Sequence, residues 1–471
     1  MRIPVPLGFP YSQGRSKAAG MGGLVNMYGE EVKYEGKTKL VLYGTAGRLA
    51  FATIGGGSVR GQINTASNHY AVVGTRFYSV SSLGTTNDIG EIEGTAMVDM
   101  AFDGQYVFVV AELKSYTFDT VGLTLSEVTD GDFVQASSAT GLSAYIIVTR
   151  KDTGQFAWSN LLAAPTWDPL DYATAESEPD KLVAVRKRGN EIALLGTNST
   201  EFWGLTGDSL APFARVNTQA ATIGCLARDS AVLVDNGLMW VGRDGLAGGV
   251  SVYRAEGYIP KKITGPNEDV LLEAVADPST LRAFAYQQAG HQFYVLTSPQ
   301  EFTIAWDVAT GQWSHRRTGD FTMGADPTGA WDCITFALNG SKQIVGSDNG
   351  NLYQLDLDTL TDASSTLVRE VTCPQLWSGG SYRSMDRLEL EIQTGVGLIT
   401  GQGSDPLVME SHSDDGGSTW STPRTASMGV MGNATATVFW TRLGQYKNRI
   451  IKFRVTDPVT TVFLNAWAEV S

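Results

Sequence analysis

The chain has 471 residues, 42% of them hydrophobic and 18% charged, a globular composition that excludes a disordered or fibrous protein. Its net charge of −14 argues against a sequence-specific binder of duplex DNA, because phosphate contacts need Lys and Arg. No run of about 18 apolar residues occurs, so no membrane anchor is expected. The stretch from Met1 to Gly20, with Pro4, Pro6 and Pro10, lacks the apolar core of a secretory signal.

Glycine is frequent, at 53 residues, and aromatic residues reach 10%. Val, Thr, Ile, Tyr and Trp suit pleated, half-buried surfaces and glycine suits tight turns, so the chain reads as all-β. In chain order, KLVLYG from Lys39 and RFYSVS from Arg76 are the first strand-like segments of the body. They either form a blade of their own or complete the last one and close a ring.

A repeat follows. One column of segments reads FDGQYVFVV from Phe102, SAYIIV from Ser143, GNEIALLG from Gly189, NGLMWVG from Asn236, GHQFYVLT from Gly290 and GSKQIVGS from Gly340. A second column trails it by a short turn: KSYTFD from Lys114, QFAWSN from Gln155, TEFWGL from Thr200, VSVYRA from Val250, TIAWDV from Thr303 and NLYQLD from Asn351. The aromatics of the second column, Phe118, Trp158, Trp203, Tyr253, Trp306 and Tyr353, are separated by 40, 45, 50, 53 and 47 residues. A four-stranded propeller blade takes roughly 40 to 50 residues. One such sheet cannot bury both faces alone, whereas six or seven packed about an axis bury them against each other. Asp235-Asn236-Gly237, Ala309-Thr310-Gly311 and Asp348-Asn349-Gly350 supply the positive-φ positions of tight hairpins. The best helical candidate is Pro266 to Val275, with Ser279 to Phe284 next, both in connections.

After about residue 370 the pattern changes. RLELEIQTG from Arg387, PLVMESHSDDGGSTWS from Pro406, ATVFWTRLG from Ala436, RIIKFRVTD from Arg449 and TVFLNAWAEV from Thr461 are about five long strands. Their spacing suits a β-sandwich, or alternatively a return to the first blade. The expected organisation is an extended N-terminal segment over residues 1–37, a six- or seven-bladed β-propeller over 38–370 and a C-terminal β-rich, sandwich-like domain over 371–471.

Motifs for chemistry are sparse. Ser413 to Trp420 fits an Asp-box, S-x-D-x-G-x-T-W, which is a hairpin turn in which Asp bonds backbone amides and Trp packs beneath. Together with Arg2-Ile3-Pro4 it opens a sialidase-like reading, yet that tripeptide has no strand before it and only one Asp-box exists. The four histidines, His69, His291, His315 and His412, form no HxH or HxxxH pair. Asp356, Asp358 and Asp362 miss a calcium-loop pattern, and Asp168 and Asp171 read as a turn about Pro169. Arg186-Lys187-Arg188 and His315-Arg316-Arg317 read as solvated loop ends, with an anionic partner surface as the alternative. Cys225, Cys333 and Cys373 are too far apart for a metal pair and read as small buried residues. No catalytic, cofactor-binding or metal-binding residue and no cofactor is expected, and the chain is not expected to be an enzyme.

Several segments carry a resemblance. TGQFAWSNLLAAPTWDPLDYATAESEPDKLVAV from Thr153 to Val185, LGTNSTEFWGLTG, LMWVGRDGLAGGVSVYRAEGYIPKKIT, GHQFYVLTSPQEFTIAWDVATGQWSHR, and LVNMYGE from Leu24 together resemble the packaged-DNA stabilisation proteins of short-tailed bacteriophages. TGVGLITGQGSDPLVMESHSDDGGSTWS is similar to tail proteins of the same group. The insertion-like stretch from Leu246 to Val250 departs from the family pattern.

The resemblance implies a virion protein of the phage tail, made in the bacterial host cytoplasm. It implies a homo-oligomer, a hexameric ring below the portal and its adaptor ring. That ring retains packaged genomic double-stranded DNA without sequence-specific binding and forms the conduit for ejection. It docks the tail needle or plug and the tailspikes or fibres. The competing reading is a glycan-active or glycan-binding, sialidase-like propeller.

Overall fold

The computed structural model describes residues 1–7, 22–34, 37–65, 68–175, 178–208, 211–216, 220–245, 248–321 and 329–471. Seven four-stranded antiparallel units follow one another along the chain. The first consists of Val59–Asn64, His69–Val73, Arg76–Val80 and Thr86–Glu91. The second consists of Asp99–Phe102, Tyr106–Val110, Ser115–Asp119 and Thr124–Glu127. The next four open with Ala136–Leu142, Leu182–Arg188, Ile223–Cys225 and Arg282–Gln288, and the fifth carries Val232–Val234 as an extra inner strand. The seventh has Cys333–Asn339, Lys342–Ser347 and Asn351–Asp356, and its fourth strand is Gly47–Thr53, from the other end of the ring. This shared sheet closes the propeller.

The two columns of the sequence repeat are the second and third strands of blades two to seven. Their apolar runs are continuous because each blade is covered on both faces. In Tyr106–Val110, Val107 and Val109 pack with Tyr70 and Phe77 of the first blade, while Phe108 and Val110 pack with Ile146 and Val148 of the third. Further inter-blade cores continue around the ring and end with Val59, Val73, Ile344 and Leu352 between blades seven and one. Asp235 and Asn236, at φ 45° and 59°, form a two-residue turn between the paired Val234 and Gly237. Gly350, at φ +82°, is required twice over, since a Cβ there would sit 2.2 Å from the Gly57 carbonyl oxygen.

RFYSVS is the third strand of the first blade, which adds one blade to the six of the repeat, as one of the two expectations held. KLVLYG does neither of the things expected of it. Lys37–Gly44 pairs instead with Met27–Tyr34 and, at Leu42 and Tyr43, with Val462–Val470. Leu42 is buried in the sandwich core, and an alternating strand does not encode which sheet receives it.

The sandwich is built from both ends of the chain. One sheet holds Met27–Tyr34, Lys37–Gly44, Val462–Val470, Arg383–Ile392 and Val438–Thr441, with Arg2–Val5 also on Val462–Val470. The other holds Gly23–Val25, Arg369–Thr372, Asn448–Val455, Leu407–Ser413 and Arg424–Ser427. Leu24, Met27, Leu388, Trp440, Phe453 and Phe463 fill the space between them. The second sheet continues into blade six, because Val25 lies parallel to His315 and antiparallel to Glu370.

Among the described residues one α-helix occurs, Pro266–Ala274, where expected. Pro266 opens it and the Glu268 carboxylate accepts the Gly265 amide at 2.8 Å. Ser279 to Phe284 is not helical. A single turn at Pro278–Thr280 leads into Arg282–Gln288, whose pairing with His291–Ser298 outweighs local preference.

Candidate functional site

Three places concentrate polar groups: the hairpin of the Asp-box, the joint between ring and sandwich, and the propeller axis. The Asp-box forms as expected. Asp415 accepts from the Thr419 amide at 2.9 Å, the Thr419 hydroxyl at 2.6 Å and the Ser413 hydroxyl at 2.8 Å, and Gly417 is at φ 89°. Those bonds, led by the Thr419 hydroxyl, hold the exposed carboxyl at about 2. Trp420 lies beneath the Lys452 ammonium, 4.4 Å from its ring centroid.

This hairpin belongs to the sandwich, between Leu407–Ser413 and Arg424–Ser427, and not to a blade. Arg2 is also on the sandwich, 3.5 Å from Glu389 and over the Trp467 ring. The two features that suggested glycan chemistry therefore lie outside the propeller.

Beside the Asp-box, Ser421, His412 and Glu410 have the composition of a hydrolytic set, which sequence reading missed. Their geometry is wrong for one. Glu410 at 2.8 Å and Ser421 at 3.3 Å both meet the same ring nitrogen, Nδ1 of His412, so the ring cannot relay a proton between them.

The remaining sequence candidates are structural. Asp168 accepts the Leu170 amide at 2.8 Å in the turn about Pro169, and burial together with the Asp168 charge raises the pKa of Asp171. Asp362 and Asp356 serve Arg48 and Thr359 respectively. Among the described residues no group of three or more His, Cys, Asp or Glu side chains could hold a metal. Cys225, Cys333 and Cys373 are free and buried, and burial pushes the Cys225 thiol up to about 12.

The arginines of the basic clusters are not solvated loop ends, since Arg188 and Arg316 are held by other parts of the chain. Arg188 is sandwiched by Phe202 and Tyr258 and donates to the Gly257 carbonyl, while only Lys187 is exposed. Arg316 is buried and donates to the Met27 carbonyl at 3.3 Å and to Ser314 at 2.8 Å. Of the insertion-like stretch, Leu246 and Ala247 lie outside the described residues.

The joint is where the structure spends its buried polarity. Asn26, at φ 53° and 2% exposed, donates to the Arg317 carbonyl at 3.0 Å and the Val368 carbonyl at 2.9 Å, and accepts the Arg317 amide at 3.0 Å. One side chain thus ties the N-terminal strands to the end of blade six and the start of the sandwich. Alongside, Glu370 meets Lys452 at 2.9 Å and accepts from Arg454 Nε at 2.8 Å, all three buried. Arg454 also donates to the Phe321 carbonyl. In Asn448–Val455, Ile451, Phe453 and Val455 enter the sandwich core while Lys452 and Arg454 face this network. The LVNMYGE segment was the available signal for Asn26. The charges in RIIKFRV carried none, because a polar face usually means solvent.

On the axis, the inner strands surround a cavity of about 390 Å³. Arg186 there donates to Asp99 at 2.7 Å, Ser138 at 2.9 Å and the Ala231 and Arg228 carbonyls. Burial opposes the Asp99 charge, but Arg186, Arg228 and Ser138 outweigh it and lower its pKa. Among the described residues no helix is long and apolar enough to cross a membrane.

No curated protein sequence matches the chain. Among solved structures it is similar to the N-terminal domain of Nup159, at 11% identity over 71% of this chain and 99% of that one, with a TM-score of 0.40. It is similar to the Neurospora crassa Pan2 WD40 domain at 10% identity over 66% and 94%, with a TM-score of 0.40. It is also similar to the extracellular domain of the putative hybrid two-component system BT4673 from B. thetaiotaomicron, at 8% identity over 77% and 45%, with a TM-score of 0.43. Likenesses of this strength carry no argument about function. The sequence families decide the matter: the family described as Bacteriophage P22 Gp10, beta-propeller, matches residues 21–360, and that described as Bacteriophage P22 Gp10, beta-sandwich, matches residues 369–471. Two consecutive matches thus span nearly the whole chain, which therefore belongs to the bacteriophage P22 Gp10 family of phage structural proteins.

Proposed function

We propose that this chain is a non-enzymatic subunit of a short-tailed phage tail, a hub or nozzle ring below the portal and its adaptor. The ring retains packaged DNA, docks the needle or plug and the tailspikes or fibres, and surrounds the path of ejection. The observation that carries the reading is mechanical. A closed propeller shares one continuous sheet with a sandwich, and the joint is held by Asn26 and by the Glu370, Lys452 and Arg454 network. Two units so joined move as one stiff block, which is what a pressure-bearing wall needs.

A division into a ring, from Gly47 to Asp356, and a sandwich made of strands from both chain ends is part of this reading. So are a hexameric, head-to-tail closed assembly and synthesis in the host cytoplasm. The conduit is the space enclosed by several copies, because the axial cavity of one propeller, at about 390 Å³, is far too small for a duplex. A net charge of −14 favours sliding of DNA over sticking. The glycan reading loses its support, since the Asp-box and Arg2 lie on the sandwich.

Electron microscopy of the purified protein with the phage's portal–adaptor complex tests the proposal. Six-fold rings capping the adaptor are expected. Monomers that never join it, together with particles that keep their DNA when this gene is deleted, would overturn it.

A further inference from the structure

The axial cavity has an imbalance that the virion reading does not use. Three arginines and two aspartates line it. Arg186 is neutralised by Asp99, and Asp229 is taken by Arg228, at 2.7 and 3.0 Å. Arg60, in the first blade, spends its donors on the Ala96, Gly74, Ile92 and Glu93 carbonyls, and the Glu112 carboxylate offsets part of its charge. That leaves Arg282, the first residue of the inner strand of blade six, which has no hydrogen bond or ion pair among the described residues. Burial depresses its pKa, and the charges of Asp229 and Asp348 offset this only in part. A half-buried guanidinium whose donors meet no protein acceptor is a recognition element for an oxyanion.

The rest of the lining is mixed: Gln62 donates to the Thr335 hydroxyl at 2.6 Å, and Leu233, Met100 and Phe336 supply apolar surface. Leu233 is 40% exposed, Met100 also lines the cavity, and Phe336 stacks at 6.3 Å and 7° on the buried ring of Phe284. A small site with a few polar groups on an apolar wall is the usual form of a ligand pocket.

We infer that the propeller axis binds a small organic carboxylate, its head on Arg282 and its short apolar body against Leu233, Met100 and the Phe284–Phe336 pair. The cavity volume suits a body of several carbon atoms, and the site does not depend on ring assembly.

Calorimetric titration of the purified chain with sodium hexanoate, and separately with inorganic phosphate, tests this. Wild type is expected to bind hexanoate saturably and more tightly than phosphate. Arg282→Met, which breaks no hydrogen bond or ion pair among the described residues, is expected to weaken hexanoate about tenfold or more, with partial recovery in Arg282→Lys and a melting temperature near that of the wild type. Leu233→Asn is expected to weaken hexanoate but not phosphate. No saturable binding of hexanoate to the wild type, or unchanged hexanoate binding by Arg282→Met, overturns the site. Phosphate bound as tightly as hexanoate, with both indifferent to Leu233→Asn, overturns the apolar part of the assignment.

Discussion

Arg48 donates through its Nε to Asp362, and the two side chains, 314 positions apart in the chain, are each 2% exposed. Arg48 also binds Asp332 and approaches the Cys333 sulfur at 3.2 Å, with the Tyr353 ring 4.8 Å from its guanidinium carbon. It sits on Gly47–Thr53, the strand that closes the ring, so this cluster is the latch of the propeller. Arg48→Met leaves two carboxylates facing each other and is expected to cost about 3–5 kcal/mol. Urea denaturation measures the loss, and a midpoint unchanged from wild type would show that the latch is dispensable.

The joint gives a second test. Asn26→Ala removes three hydrogen bonds and puts at φ 53° a residue that tolerates the left-handed region less well than Asn. A loss of about 3 kcal/mol is expected from these terms together. Asn26→Asp should be no better, because the two carbonyls then face an acceptor. Limited proteolysis should release the N-terminal strands in both variants, and protection equal to wild type would contradict the role.

Glu370 neutralises two buried cations, Lys452 and Arg454. Glu370→Ala is expected to destabilise by about 3–5 kcal/mol, whereas an apolar replacement of all three is expected to recover most of it. Thermal melting of the single and triple variants separates loss of the pair from loss of the position. A triple variant as unstable as the single one would mean that the charges themselves are needed.

His69 is fully buried and neither ring nitrogen has a hydrogen-bond partner among the described residues. Burial holds its pKa at about 4, below the ordinary 6.5. The unfolded chain therefore binds the proton first. Stability is lost as pH falls through 6.5 towards 4, by on the order of 3 kcal/mol at the lower limit, and is unaffected by this group above about 7. Urea midpoints at pH 4.5 and 7.5 should differ less in His69→Phe than in wild type. Equal differences in the two proteins would rule out this contribution.

Much of the architecture was legible because it is periodic. YVFVV, YIIVTR and EIALLG are second strands, and the aromatic that trails each one marks a third strand. First strands such as Asp99–Phe102 and Leu182–Arg188 went unseen, since channel-facing arginines and aspartates interrupt their apolar pattern. The closing strand Gly47–Thr53 was also passed over, having exposed Leu49 and Ala50 in place of a clean alternation. The Asp-box was readable as a turn because its bonds run between residues at most four apart. Arg454, Lys452 and Arg282 were not, because a charged side chain is written identically whether it meets water, a carboxylate or an empty axis.

By itself, then, the chain determined the kind of strand, the length of the repeat, the hairpin turns and the family, all of which depend on neighbours a few residues away or on the order of segments. Tertiary structure alone decided that Lys37–Gly44 leaves the ring for the sandwich, that Gly47–Thr53 latches onto Asn351–Asp356, and that blade six runs on into Arg369–Thr372. Those choices are pairings between strands separated by hundreds of residues. Backbone hydrogen bonds are the same for every partner, so only the burial of particular side chains, Leu42, Arg48 and Glu370 among them, selects one.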